Sequence, residues 1–255
     1  MRKLDLRSWG FGFIVVLATA AFIRLGAWQI ERLGERRAAN AEREALADDP
    51  QLDLSGDAEL PDVDSLLWRR VRLTGTWDFE HELVIRGRSA FGSPGVDVVT
   101  PLRLESGATV LVLRGWLPAA DGLSADLASA SPPPADLSTP RVVEVTGRVY
   151  PGEPSAAIPP RRTRFPGGVH VVLASLDLEA AQRELEEPLI GAWVLPDSAV
   201  HAGGAVEPRL VQMPPPSDGP HLMYAIQWFG FAAIAAAGGI VFLASRRSSP
   251  GGDAA

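Results

Sequence analysis

The sequence predicts a membrane protein: two transmembrane α-helices flank a mostly β, antiparallel sheet or barrel-like extracytoplasmic domain. Three observations carry that expectation. Leu222 to Ala244 (LMYAIQWFGFAAIAAAGGIVFLA) is a run of 23 residues without a charge. Trp9 to Ile30 (WGFGFIVVLATAAFIRLGAWQI) is a run of 22 with Arg24 as its one charge. Between them lie short segments rich in β-formers, punctuated by Gly and Pro. The near-zero mean hydropathy of +0.08 averages two apolar spans with an acidic, Arg-bearing middle.

Residues 1–8 read as a cytoplasmic N-terminus and 9–30 as the first span. At 1.5 Å per residue the span reaches about 33 Å, enough for a hydrocarbon core of about 30 Å. Trp9 and Trp28 stand at its edges, where indole rings prefer to lie, and Arg24 is close enough to the far end to snorkel. A cleaved signal peptide is the competing reading, resting on Ala18-Thr19-Ala20. The apolar run continues past that site to Ile30, which favours an anchor. Residues 31–66 form a stalk and linker. Glu31 to Asp49 holds six acidic and four basic residues, many three or four apart, and extends the first helix into water.

The main domain is expected over 67–220. Its strand-like runs are WRRVRLTGTW, HELVIRGR, GVDVVTPLRL, ATVLVLRGW, RVVEVTGRV, VHVVLASLDL, LIGAWVL and PRLVQM. Pro118 to Pro140 and Pro151 to Pro166 read as long loops, the second holding Arg161, Arg162 and Arg164. Asp177 caps a short helix, LEAAQRELEE, stopped by Pro188. The second span takes 221–244, followed by a tail at 245–255. Arg246 and Arg247 follow it at once, whereas the 20 residues before it hold only Arg209. That asymmetry puts both termini in the cytoplasm and the middle outside. The membrane expected is a bacterial cell (inner) membrane, with lipid as the surroundings.

Composition narrows the chemistry. With 24 basic against 31 acidic residues (net −7) and no polybasic block, nucleic acid is excluded as a partner. The absence of Cys rules out disulfides, thiolate zinc and iron–sulfur sites; with only Met213 and Met223 beyond the initiator, copper handling goes too. No nucleophile elbow, Walker loop or zinc-protease motif occurs, and Ser93 in Phe91-Gly92-Ser93-Pro94-Gly95 reads as part of a turn, so no enzyme activity is expected. His81, His170 and His201 lack a second His at metal spacing.

His221 differs in its position. It opens the second span as His221-Leu222-Met223-Tyr224-Ala225-Ile226-Gln227-Trp228. On a helix His221, Tyr224 and Trp228 form one stripe, with Gln227 at its flank. Such a stripe is either an interfacial aromatic belt or a site at which an imidazole nitrogen meets the metal of a planar macrocycle. The first span offers Arg24, Trp28 and Arg32 at i, i+4 and i+8, beside Gln29, as snorkelling anchors or as partners for propionates.

These residues resemble the Surfeit locus protein 1 family. Leu25-Gly26-Ala27-Trp28-Gln29-Ile30-Glu31-Arg32 is similar to its G-x-W-Q-x-x-R element, Arg114-Gly115-Trp116-Leu117-Pro118 to its R-G-W-x-P element, and Gly95 to Pro101 to the stretch before it. His221 to Trp228 is similar to its H-x-x-Y-A-x-Q-W element. Order, spacing and two-span topology agree. The chain departs from the family in carrying Arg36 or Arg37 where a lysine is expected, and in the insertion 118–140. The resemblance implies an assembly factor for haem-copper cytochrome c oxidase that binds haem a and aids its insertion into the catalytic subunit. Its partners would be that subunit and haem a synthase. The implied haem-binding residues are His221 as iron ligand with Tyr224, Gln227, Trp228, Trp28 and Arg32. Gly26, Gln29, Arg114, Gly115, Trp116 and Pro118 are the remaining motif or partner-contact positions. For Arg114 to Pro118 a structural role stands beside a docking role: a strand end in which Gly permits a bend, Trp enters the core and Pro stops pairing. A scaffold that holds an oxidase subunit and binds no cofactor is the alternative function, and a membrane-anchored enzyme the third.

Overall fold

A computed structural model describes residues 6–56, 61–130, 142–165, 168–200, 206 and 208–248, and the side chains among them except those of 6–8 and 246–248. His201, Pro132 to Pro134 and the side chains of Arg246 and Arg247 lie outside the described set. The chain divides into two compact units: the first helix as far as Glu42 with the chain from Pro215 onward, and Arg43–Pro214.

The first unit is a helix pair. Helix α1 (Leu6–Asp48) runs for 43 residues, about 65 Å, with no proline inside it and Pro50 just beyond. It continues unbroken through the charged segment. A second long helix, His221–Ser248, starts directly after Pro220, whose carbonyl accepts from the Tyr224 amide at 3.1 Å. Both helices are long and apolar enough to cross a membrane. Only 6% and 11% of their most apolar windows are buried, so neither is the core helix of a water-soluble protein. The chain is a membrane protein.

The two helices meet along alternating steps of three and four residues. On α1 the covered positions include Phe22, Gly26, Gln29 and Leu33; on the last helix they include His221, Ala225, Trp228, Ala232 and Gly239. That spacing is the seam of a left-handed, 3-4 packed pair. Small residues set the approach. A Cβ on Gly26 would stand 2.8 Å from the Phe229 ring, and one on Gly239 2.6 Å from Val15.

The second unit is a closed β-barrel with an extension. Its strands are β1 (Leu52–Asp53), β2 (Arg70–Trp77), β3 (Leu83–Ala90), β4 (Ser93–Leu104), β5 (Thr109–Pro118), β6 (Val142–Pro151), β7 (Arg161–Phe165), β8 (Gly168–Leu173) and β9 (Leu189–Pro196). The sheet order is β1-β2-β6-β9-β5-β4-β3-β8-β7, and an added β2–β4 pairing closes β2, β6, β9, β5 and β4 into a ring. Strand β4 makes both structures possible. Its C-terminal part closes the ring (Gly75↔Leu104, Trp77↔Leu102), while its N-terminal part pairs with β3 (Leu83↔Val99, Val84↔Val98). Inside the ring, alternate residues form one core: Val71, Leu73 and Trp77 meet Leu102, Leu104, Val110, Val112, Val145, Val149 and Val194.

The extension is buried on both faces. Leu83, Ile85, Val99, Leu111 and Leu113 lie under the short helix Leu178–Gln182, which Asp177 caps by accepting from the Glu179 and Ala180 amides. Val84, Val96, Val98 and Leu117 lie under Ala119, Ala125, Leu127 and Ala130.

Several expectations are corrected. The sheet is mixed: β1–β2, β3–β8 and β5–β9 run parallel, because the long connections allow crossovers. Residues 119–130 are no open loop; they carry the turn of helix Leu127–Ala130 and cover a core. Arg161–Phe165, read as loop, is a strand paired with β8 at the sheet edge, where charged residues block further pairing. PRLVQM contributes only the bridge Trp116↔Arg209 instead of a strand. The turn around Ser93 is the pair Phe91-Gly92, both with positive φ (53° and 78°), and Ser93, the first residue of β4, already pairs with Ala90 of β3.

Candidate functional site

In the helix pair, the seam brings His221 and Gln29 together. Gln29 is buried and half-buried His221 lies against it: the imidazole Nδ1 and the amide Oε1 are 2.8 Å apart. An amide oxygen only accepts, so the proton in this bond belongs to Nδ1, and in the neutral ring that leaves the lone pair on Nε2.

Beyond this pair, Trp228 stacks on Phe22 (centroids 5.8 Å apart, planes at 24°), and Phe231 closes an aromatic trio against both. Ala225 is buried between the polar pair and the trio, so the backbones stay close.

The other expected site residues lie around this pair. Tyr224 and Trp28 are 47% and 40% exposed, so each presents a ring to the surroundings instead of the seam. Gln227 is exposed. Arg32 lies 5.7 Å from the Trp28 ring and 2.6 Å from Glu35; Arg24 is 3.9 Å from Glu31. Just before His221, Asp218 accepts from Arg37 at 2.8 Å and the Ser217 carbonyl from Arg36 at 3.3 Å. Thus His221, Trp228, Gln29 and Gly26 share the seam, whereas Tyr224, Gln227, Trp28 and Arg32 surround it. Sequence reading missed Phe22, Phe231 and the His221–Gln29 bond. The heptad-like steps 22, 26, 29, 33 and 221, 225, 228, 232 were the signal for them.

The residues fit a cofactor in one way. Among the described residues no group of three or more His, Cys, Asp or Glu could hold a bare metal ion. His221 offers a single imidazole nitrogen, which suits a metal already held by a macrocycle. The exposed rings of Trp28 and Tyr224 suit a flat apolar ligand, and Arg32 suits a carboxylate at its rim.

The Arg114 to Pro118 element is inside the β unit. Opposite Val98 and Val99, β5 carries one extra residue, Arg114, and this bulge turns its side chain inward. Fully buried, its guanidinium donates to Glu82 Oε2 at 2.7 Å and to the Ala130 carbonyl. Thr100 donates to the same Glu82 oxygen at 2.7 Å, and Arg114 lies 5.5 Å from the Phe79 ring. Gly115 takes φ +145°, and a Cβ there would stand 2.6 Å from the Arg209 carbonyl oxygen, which the Trp116 amide uses. Trp116 is buried, with Phe91 edge-on at 5.6 Å and the Arg209 guanidinium 3.6 Å over Phe91. Elsewhere in this unit, burial lifts the Asp97 carboxyl to about 6 despite Arg88 at 3.2 Å, and Glu153 adds to the rise.

Two membrane-length helices joined by a chain that folds into a closed β-barrel define a two-span membrane protein with one barrel domain. The sequence matches the SURF1 family over residues 16–233, and the chain belongs to that family. This is a family of assembly factors linked to cytochrome c oxidase, not a known enzyme family. It is 26% identical over 222 residues to a SURF1-like protein of Rickettsia felis, covering 86% of this chain and 90% of that one. It is 27% identical over 232 residues to an uncharacterized SURF1-like protein of Mycobacterium bovis (88% and 79% covered). A SURF1-like protein of Caenorhabditis briggsae is 30% identical over 138 residues, 46% of this chain and 44% of the relative.

Proposed function

We propose that this chain is an assembly factor for haem-copper cytochrome c oxidase that holds haem a through His221 and presents it to the catalytic subunit, receiving it from haem a synthase. It works in a bacterial cell membrane with both termini cytoplasmic and the barrel outside, as the arginines after the second span indicate. The observation that carries the reading is the part-buried His221–Gln29 bond, which engages Nδ1 and leaves Nε2 to serve as a ligand.

Haem a, when bound, would supply an iron that takes an imidazole nitrogen, and His221 would hold it. The chain's residues do the rest. Gln29 fixes the ring, and the Phe22–Trp228–Phe231 trio braces the helix that carries it. The exposed Trp28 and Tyr224 rings would pack against the macrocycle, and Arg32 would pair with a propionate. A ligand set with one strong bond and otherwise exposed contacts suits a cargo that is passed on.

The scaffold reading draws on the same bond as interhelical polar glue. Oxidase purified from cells lacking this chain, complemented with wild type or His221→Ala, tests the haem reading. The haem reading expects a lowered haem a to protein ratio in the catalytic subunit with His221→Ala and restoration by wild type. Full loading with the variant refutes it.

A further inference from the structure

We infer that Gln29 is a positioning residue: its amide oxygen fixes the His221 ring with Nδ1 protonated and Nε2 bearing the lone pair. The statement about iron rests on the haem reading above; the statement about the tautomer does not.

Three observations lead there. Gln29 is 9% exposed in a seam otherwise filled by Phe22, Gly26 and Leu33, so its amide must find a partner inside the pair. The partner is His221 Nδ1, 2.8 Å from Oε1. The nearest carboxylate in sequence, Asp218, is taken by Arg37 at 2.8 Å. His221 is therefore oriented by a neutral acceptor where many metal-binding histidines have a carboxylate. A neutral acceptor polarises the ring less than a carboxylate does. The resulting ligand is oriented with no carboxylate behind it, which matches a site that must release what it holds.

The test uses the full chain in detergent micelles. In nitrogen-15 histidine spectra of the haem-free protein, with His221→Ala identifying the signals, the His221 proton is expected on Nδ1 and the bare nitrogen at Nε2. A proton on Nε2, as would follow if the Gln29 NH2 donated to Nδ1, overturns the inference whatever haem does. Titration with ferric haem follows. Gln29→Met is expected to bind 10–100-fold more weakly than wild type, the usual effect of losing such an orienting partner, and Gln29→Glu more tightly. In the reduced complexes the iron–histidine stretch should fall in Gln29→Met and rise in Gln29→Glu. Wild-type affinity and stretch in Gln29→Met overturn the positioning role while leaving the haem reading intact. Wild type that binds no ferric haem, with the tautomer as expected, overturns the haem reading and the ligand role of the ring.

Discussion

Replacing Arg114 by methionine keeps much of the side chain's apolar volume and removes the cation from beside a fully buried carboxylate. Arg114 and Glu82 are 1% and 0% exposed, 2.7 Å apart, and joined to Thr100 and the Ala130 carbonyl. Removing one member of such a pair costs about 3–5 kcal/mol, most of it the burden of the buried charge left behind. In a domain of this size that corresponds to a fall in Tm on the order of 6–20 °C. Thermal unfolding of the detergent-purified chain, followed by far-ultraviolet circular dichroism, measures it. Arg114→Lys should fall between, because one ammonium lacks the fork that serves both Glu82 and Ala130. The double variant Glu82→Leu/Arg114→Met should recover most of the loss, since apolar residues replace buried pairs at little cost. A loss below about 1 kcal/mol for Arg114→Met, or a double variant no more stable than the single, would refute the reasoning.

Asp97 makes the β unit sensitive to pH in a defined direction. Its folded value of about 6 lies above the ordinary 3.8, so the folded state binds the extra proton and stability falls as pH rises between those values. Asp97→Asn should therefore gain about 1–3 kcal/mol over wild type at pH 7.5 and nothing near pH 3, read from urea melts; equal differences at both would contradict it. In the helix pair, Gly239→Ala should cost more than Gly26→Ala. The new methyl meets the stiff β-branched Val15 at position 239 but the movable Phe229 ring at position 26. About 1–3 kcal/mol is expected for the first in detergent unfolding, and the reverse order would show that the seam is not packed this way.

How much of this was legible follows from the kind of signal each feature leaves. The two spans are a matter of apolar length, which a sequence carries in one dimension. Strands β2 and β6 each have one covered face, so alternation marks them. In β3, Leu83-Val84-Ile85 is buried on both faces and leaves no alternation, so only its β-branched and aliphatic content gave it away. Strand β7 was hidden because Arg161, Arg162 and Arg164 look like a solvated loop, although an edge strand tolerates such charges. Residues 119–130 looked like an insertion because their buried positions follow no period. The inward turn of Arg114 depends on a bulge, and no local pattern announces an extra residue. For the site, His221 and Gln29 were both singled out by their positions at the ends of the spans. Their bond could not be read without the register of one helix against the other.

The most direct test is the absorption spectrum of the chain purified in detergent from cells that make haem a, wild type beside His221→Ala. A haem a Soret band in wild type that is lost in a variant with unchanged circular dichroism is the predicted result. A featureless wild-type spectrum, or a variant with full haem occupancy, would contradict the assignment of His221 as the ligand.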